Sequence, residues 1–392
     1  MTLITGYSFK GRAFLQADIL LTSDISTGFQ HAPIPTYHND ETGGLNISGQ
    51  GVPGLVQKIV IVNDSFAMAC AGKLGVIASA IHLTKRLTLD KPHLTADEFL
   101  KHLQSDPELA GGDLSLIILT VESGLQKLTS FKAHTVVKNE HLEVITGGSG
   151  RKKAASYFEG MDEHVQDIPD DEANKHGIYL ALNQFATLLL HEFDDQDCAQ
   201  TLQDHFGGGY ELAVVSDGKI QKVSNMLYAF AEAEIDQHDF IMIAPPTFLL
   251  KSVYADDYLC IRSAKVEIDP IDGYHRTLHD RTFLIPPIAH FKESKSANDV
   301  SAIHFLVDYL CFFVRVKHAG NTHVFPFIKK YDSMQNFAKQ GFFAMPVEGY
   351  FVINYTEAFR EDIRAFIMKN CKKPSPSQST LPIALNNAGS RP

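Results

Sequence analysis

The chain has 392 residues, of which 44% are hydrophobic and 21% charged, so it reads as an ordinary folded protein with room for two domains and not as a disordered or fibrous one. Lys and Arg number 35 against 46 Asp and Glu, a net charge of −11, which excludes a protein whose main task is to grip phosphate backbones; no nucleic-acid partner is expected. Apolar runs such as Leu310 to Val314 stop far short of the roughly 18 residues a membrane helix needs, and Met1-Thr2-Leu3-Ile4-Thr5 shows no basic segment ahead of an apolar one, so a cytoplasmic protein without a membrane partner is expected.

In chain order, Ile19 to Ser23, Lys58 to Val62, Phe66 to Ala69 and Leu114 to Val121 are apolar runs of the length buried strands take. Two helices are predicted between the third and fourth. Lys73 to Leu87 places Leu74, Ile77, Ala78, Ile81 and Leu87 near one face, and Thr95-Ala96-Asp97-Glu98 is a capping box ahead of Phe99 and Leu103. A second helix pair follows at Lys152 to Met161 and Gly177 to Phe193. Then come Gly207-Gly208-Gly209, a strand at Tyr210 to Ser216, a turn at Asp217-Gly218 and a strand at Lys219 to Val223. Strand blocks alternating with helix pairs predict an α+β fold in which two antiparallel sheets pack together with a helix layer on each outer side.

A composition shift near Ala229 to Asp239 opens an apolar, aromatic-rich second region that closes with a helix around Glu357 to Met368. Its Ile303 to Val316 stretch is apolar nearly all round and reads as a deeply buried helix. From Lys372 onward the chain is rich in Lys, Pro, Ser, Gln and Asn, the composition of a disordered tail. The expected organisation is therefore residues 1–228 as one domain, 229–371 as a C-terminal α/β extension of unrecognised type, and 372–392 as a tail.

The five cysteines (Cys70, Cys198, Cys260, Cys311, Cys371) show no CxxC spacing and read as reduced thiols. His275, His279 and Asp280 are the nearest approach to a metal motif and read as solvated loop residues, so neither metal nor other cofactor is expected.

Thr2 follows the initiator methionine, and a small second residue permits that methionine to be removed. A free α-amine has a reference pKa near 7.7–8.0, so it can serve as base to the hydroxyl on its own residue, a known way of activating a weak nucleophile. Asp24 ends the run Ile19-Leu20-Leu21-Thr22-Ser23-Asp24, and Lys58 opens the next strand. A Lys and an Asp at the ends of adjacent buried strands can pair, and a cation beside a hydroxyl favours its deprotonation.

Over about Thr2 to Val223 the chain resembles the proteasome-like N-terminal-nucleophile hydrolases: proteasome β subunits, the bacterial peptidase partner of a ring ATPase, and the ancestral β-like bacterial peptidases. The resemblance is carried by the Met-Thr start, Ser23-Asp24, Lys58 at a strand start, Ala71-Gly72 before a helix, Thr146-Gly147-Gly148-Ser149-Gly150 before the next, and Asp204-His205-Phe206-Gly207-Gly208-Gly209 before the final strand pair. It implies a four-layer αββα sandwich. It also implies that Thr2 is the nucleophile with its α-amine as base, that Lys58 lowers the hydroxyl pKa while paired with an acid, that the Gly72 N–H is the oxyanion-hole donor, and that Ser149 and Asp204 fix the amine.

Two assignments of the acid stand side by side. Asp24 is preferred for its flanking run, at the cost of an insertion in the hairpin; Asp18 is where an ungapped count from Thr2 falls. Gly207 stands where active members of the family usually carry Ser. The segment between Asp24 and Lys58 is unusually long and is expected to overhang the cleft. The resemblance further implies a peptide or other amide substrate, assembly of identical copies into a ring or open spiral, and a separate ATPase or partner protein, since the chain has no GxxxxGK[ST] phosphate loop. The alternative function is a catalytically silent scaffold of the same fold whose C-terminal domain binds a partner protein or ligand.

Overall fold

The chain opens on a hairpin, β1 (Leu3–Phe9) and β2 (Arg12–Asp18), whose two-residue turn Lys10-Gly11 has both φ angles positive (47° and 73°). Such a turn twists with the strands it joins and pins the register Phe9 to Arg12 through Ile4 to Ala17. The computed structural model describes residues 2–24, 32–37, 50–91, 93–159, 168–193, 201–202, 204–269, 273–291 and 303–371. It is mixed α+β, mostly sheet, and divides into two units: Met1–Val223 with Asp256–Leu259 and Ile285–Ser296, and Ser224–Ala255 with Cys260–Leu284 and Ala297–Pro392. The 372–392 tail lies outside the described residues.

In the first unit, β3 (Leu20–Asp24) and β4 (Gln50–Leu55) pair with each other. Next come β5 (Ile59–Asn63), β6 (Phe66–Gly72), helices α1 (Leu74–Asp90), α2 (Ala96–Ser105) and α3 (Pro107–Gly111), then β7 (Leu114–Glu122), β8 (Leu125–Phe131), β9 (His134–Lys138) and β10 (Leu142–Gly148). Helix α4 (Arg151–Phe158), helix α5 (Ala173–Phe193), β11 (Tyr210–Ser216) and β12 (Lys219–Lys222) complete it. Two antiparallel sheets result, one in the order β12-β11-β2-β1-β10-β9 and one in the order β5-β6-β7-β8. Alternation along each strand sorts the core. Ile4, Leu15, Ala17, Ile145 and Ala213 of the first sheet meet Ile59, Ala67, Ala69, Ile117 and Leu119 of the second. The opposite face of the second sheet, with Phe66, Met68, Leu116 and Ile118, packs on Ile77, Ile81, Phe99 and Leu103 of α1 and α2. The opposite face of the first sheet meets α4 and α5: Tyr7 stacks on Phe14 at 4.7 Å, its hydroxyl donates to Gly177 O (2.7 Å), and Phe185 stacks on Tyr210 at 4.9 Å. The capping box is present, with Thr95 Oγ1 accepting from Glu98 N–H.

The second unit is built on one sheet. Its strands are β13 (Met226–Ile235), β14 (Ile241–Ile243), β15 (Phe248–Ala255), β16 (Tyr258–Ile268), β17 (His275–Ile285), β18 (Tyr309–His318), β19 (Asn321–Lys330), β20 (Phe342–Val347) and β21 (Tyr350–Tyr355), with α6 (Met334–Gln340) and α7 (Glu357–Cys371). The order is β19-β18-β13-β15-β16-β17-β21-β20, with β14 beside β13 and with β13 and β18 parallel. The helix expected over Ile303 to Val316 is instead largely β18. Its apolar character on both faces comes from a central strand buried between β13 and β19, a pattern that periodicity cannot separate from a buried helix. Phe312, Phe325 and Phe327 face Phe359 and Phe366 of α7 in an aromatic core, Phe312 meeting Phe359 edge-on at 5.2 Å. Each such pair contributes about 0.5–1.5 kcal/mol beyond area burial. The unit is thus a large, mainly antiparallel sheet with helices, where an α/β extension was expected. His275, His279 and Asp280 lie on β17 rather than in a loop. Asp280 takes the Arg262 guanidinium through two oxygens (2.8 and 2.6 Å), and among the described residues no group of His, Cys, Asp and Glu could hold a metal. No helix among the described residues is long and apolar enough to cross a membrane.

Candidate functional site

Thr2 enters β1 beside the end of β10. Gly148 allows this approach: a Cβ there would stand 1.9 Å from the Thr2 carbonyl oxygen, and its φ of +80° suits glycine. The same carbonyl accepts from Gly150 N–H (3.2 Å). The turn between them lays Ser149 against Thr2, whose nitrogen donates to Ser149 Oγ at 3.1 Å. Thr2 is 5% exposed, so the residue is covered but not sealed.

The next peptide binds the acid. Leu3 N–H donates to Asp18 Oδ1 at 2.9 Å, and the Lys58 ammonium donates to the same oxygen at 2.7 Å. Asp18 Oδ2 takes Leu20 N–H and Gly207 N–H, each at 3.1 Å. Lys58 spends a further proton on Leu20 O (2.6 Å). Both members of the pair are buried. Burial pushes the Lys58 pKa below the usual lysine value, opposed by the Asp18 charge beside it. Four donors converge on one carboxylate, and they tie Thr2 through its following peptide, the start of β5, the start of β3 and the glycine run into one cluster.

The carboxylate on Lys58 is therefore that of Asp18. Asp24 ends β3 opposite Gln50, and its side chain lies outside the described set. The β1–β2 hairpin turns in two residues, which returns the chain so that Asp18 meets the Leu3 N–H at the start of β1. Gly72 closes β6. Cys70 N–H donates to Lys58 O (3.0 Å), so strand alternation turns the Gly72 N–H toward the same side, where Lys58 opens β5. Asp204 is half-buried in the turn before the glycine run, three residues from Gly207. The structure thus pairs Thr2 with Ser149 and Asp18 with Lys58 by direct hydrogen bonds, links the two pairs through the Leu3 N–H, and sets Gly72 at the neighbouring strand end.

Further residues hold this arrangement. Glu211 is buried on β11, and its Oε1 accepts from Lys58 N–H (2.5 Å) and Ile59 N–H (2.7 Å), fixing the strand start that carries Lys58. Its Oε2 takes the Lys222 ammonium at 2.6 Å, which also reaches Gln57 Oε1 at 2.5 Å. Gln57 in turn donates to Ile285 O (2.8 Å) and Asp257 O (2.7 Å), which brings those two segments into the first unit. A lone Glu inside the apolar run Tyr210-Glu211-Leu212-Ala213-Val214 is the one sequence signal that could have pointed there. No protein-family model matches the chain, and no curated protein matches it significantly.

Proposed function

We propose that the chain is an N-terminal threonine hydrolase built on a proteasome-like αββα sandwich, cleaving a peptide or other amide bond through an acyl-enzyme on Thr2. The observation that carries this reading is the shared oxygen Asp18 Oδ1, which holds both the peptide following Thr2 and the Lys58 ammonium. Two sheets packed face to face, with α1–α3 on one outer side and α4–α5 on the other, support the sandwich.

Removal of Met1 turns the Thr2 nitrogen into a primary amine. Thr2 Oγ1 then attacks the substrate carbonyl carbon while its proton passes to that amine, with Ser149 Oγ at 3.1 Å to orient it. Lys58, oriented by Asp18 and Leu20 O, favours the alkoxide by its charge. Negative charge gathering on the carbonyl oxygen is met by the Gly72 N–H. Collapse breaks the C–N bond, and the leaving amine takes the proton from the Thr2 ammonium. Water, deprotonated by the same amine, cleaves the resulting ester and restores the hydroxyl.

One observation favours the silent-scaffold reading. On the second unit, Leu278, Met345, Val347, Tyr350 and Val352 of β17, β20 and β21 are exposed apolar side chains, a surface suited to a partner. The deciding experiment is the intact mass of the chain purified from cells, followed by treatment with a threonine-directed electrophile such as an epoxyketone or β-lactone. The hydrolase reading expects a mass lacking Met1 and a single adduct that is absent in Thr2→Ala. A mass retaining Met1, or an adduct that survives Thr2→Ala, would overturn it and leave the scaffold reading.

A further inference from the structure

Glu192, near the end of α5, is a buried carboxyl group that the proposed chemistry does not use; it is 1% exposed. Its Oε2 accepts from Thr36 Oγ1 (2.5 Å) and from Gly208 N–H (2.9 Å), and its Oε1 accepts from the Tyr210 hydroxyl (3.0 Å). The neighbouring amide, Gly207 N–H, donates to Asp18 Oδ2. Two carboxylates therefore hold consecutive peptides of one glycine run, and one of them is the acid of the threonine site. A Cβ on Gly207 would stand 2.4 Å from Glu192 Oε1, at a φ of +121°. Where the resemblance expects a serine side chain, this chain has a glycine and a carboxylate delivered from α5.

We propose that Glu192 is a positioning residue of the threonine site, its carboxylate clamping Gly208 and Thr36 so that Gly207 N–H stays on Asp18 and the 32–37 segment stays against the glycine run. The consequence for turnover rests on the threonine-hydrolase reading; the clamp itself does not. Releasing Gly208 frees Gly207 to leave Asp18, which removes one of the four donors on the carboxylate that aims Lys58. Glu192 touches neither Thr2 nor any substrate-facing group described above, so its loss acts on the chemical step and not on binding.

The clamp responds to protons. Burial pushes the Glu192 carboxyl up to about 7, its hydrogen-bond donors, Thr36 foremost, pulling the other way. Protonation replaces charge-assisted bonds by neutral ones of roughly half the strength. Among the groups around it, Tyr210 from β11 is the titratable side chain in contact. Asp18 stands one peptide away across Gly207, His191 precedes it on α5, and Asp204 and His205 lie just ahead of the glycine run. Thr36 brings no charge. Burial lowers the His205 pKa.

The test is amide hydrogen exchange on the full chain, over peptides spanning 204–210 and 32–37, between pH 6 and 8 after correction for intrinsic rates. Local release leaves the carboxyl buried, where its donors favour the ionised form, so the wild type is expected to gain about tenfold protection at Gly208 as the carboxyl ionises, even as global stability falls over the same range. Glu192→Gln is expected to be unprotected and flat with pH, and Glu192→Asp to keep part of the pH response. Thr36→Val, which deletes one bond without adding a buried donor, should shift exchange the same way by less, and serves if Glu192→Gln does not fold. Turnover is read in parallel: kcat down about tenfold with KM unchanged, and an acid limb near pH 7 that vanishes in Glu192→Gln. Wild-type exchange and pH response in Glu192→Gln would overturn the clamp whatever Thr2 does. Altered exchange with unchanged kcat and pH profile, in protein whose Thr2 is active, would overturn its role in the site while leaving the hydrolase reading intact.

Discussion

Asp18→Asn is the substitution that bears hardest on the site. The asparagine has the right shape, but one of its two accepting oxygens becomes an NH2 donor. Lys58 Nζ and Leu3 N–H point at Oδ1, and Leu20 N–H and Gly207 N–H point at Oδ2, so either flip of the amide sets it against two donors. The buried Lys58 also loses the charge that offsets its desolvation, which drives its pKa further down. Removing one partner of a buried pair costs about 3–5 kcal/mol, a large part of the 5–15 kcal/mol that keeps a domain folded. Lys58→Met should cost less, about 2–3 kcal/mol, because three backbone N–H groups remain to hold the Asp18 carboxylate.

The sharper quantity is the coupling. In the double variant no charge is left buried alone, so it should lose at least about 2 kcal/mol less than the sum of the singles. Urea unfolding followed by far-UV circular dichroism gives the total. Because the chain has two units, one transition cannot be assumed, and exchange of the Leu3 to Phe9 amides reports the first unit by itself. Additivity of the two substitutions within about 0.5 kcal/mol would refute the reasoning, since it would mean that the 2.7 Å pair carries no energy of its own.

Other consequences are more local. Gly72→Ala would put a Cβ 2.2 Å from Asp113 O at a φ of +131°, so the end of β6 must move; stability should fall by more than about 1 kcal/mol and kcat by about 10²–10³-fold, measured as burst amplitude with an activated amide. For Glu192 the folded pKa, about 7, lies above the unfolded carboxyl value, so its contribution to stability is complete below the unfolded pKa and is lost as pH rises through 7. That loss is on the order of 3 kcal/mol, and Glu192→Gln should flatten it in urea titrations at pH 4 and 8. Cys70, buried with its thiol pushed up to about 12, should resist a disulfide reagent in the native chain and react only on unfolding.

What could be read from the sequence was local, and what could not was long-range. The Thr95 capping box, the Asp217-Gly218 turn and the helical face of Gly177 to Phe193 involve residues a few positions apart, and all three lie where expected. The mostly apolar stretch Ile303 to Val316 misled because a strand covered on both faces has no alternation to display. The preference for Asp24 over Asp18 followed a resemblance between flanking residues; the spacing from Thr2, set by a two-residue hairpin turn, pointed to the residue that holds Lys58. Glu192 and Glu211 drew no attention as site residues because most of what they hold lies far along the chain: Thr36 is 156 residues from Glu192, and Lys58 is 153 from Glu211. Nothing in a run such as Tyr210-Glu211-Leu212 tells which strand start the carboxylate will cap.

These acids make one electrostatic system. Asp18, Glu192 and Glu211 are all buried, and each accepts main-chain N–H groups: Leu3, Leu20 and Gly207 for the first, Gly208 for the second, Lys58 and Ile59 for the third. With all groups ionised, two ammonium groups, on Lys58 and Lys222, stand against three carboxylates. The backbone dipoles carry part of the imbalance, which is how a buried carboxylate persists without a full counter-ion. Removing Met1 would place a third cation, the Thr2 ammonium, beside Ser149 and bring the count level. If Thr2 is the nucleophile proposed above, that charge has to fall by one when the amine gives up its proton to act as base. The excess of carboxylates opposes this loss, so the Thr2 amine should titrate above the ordinary α-amine value, and turnover should rise with pH until it does. A pH profile of kcat/KM in the Met1-free chain reads that pKa directly, and Glu192→Gln, which removes one of the three negative charges, should move it down. A profile that stays in place in that variant would show that the three carboxylates act separately.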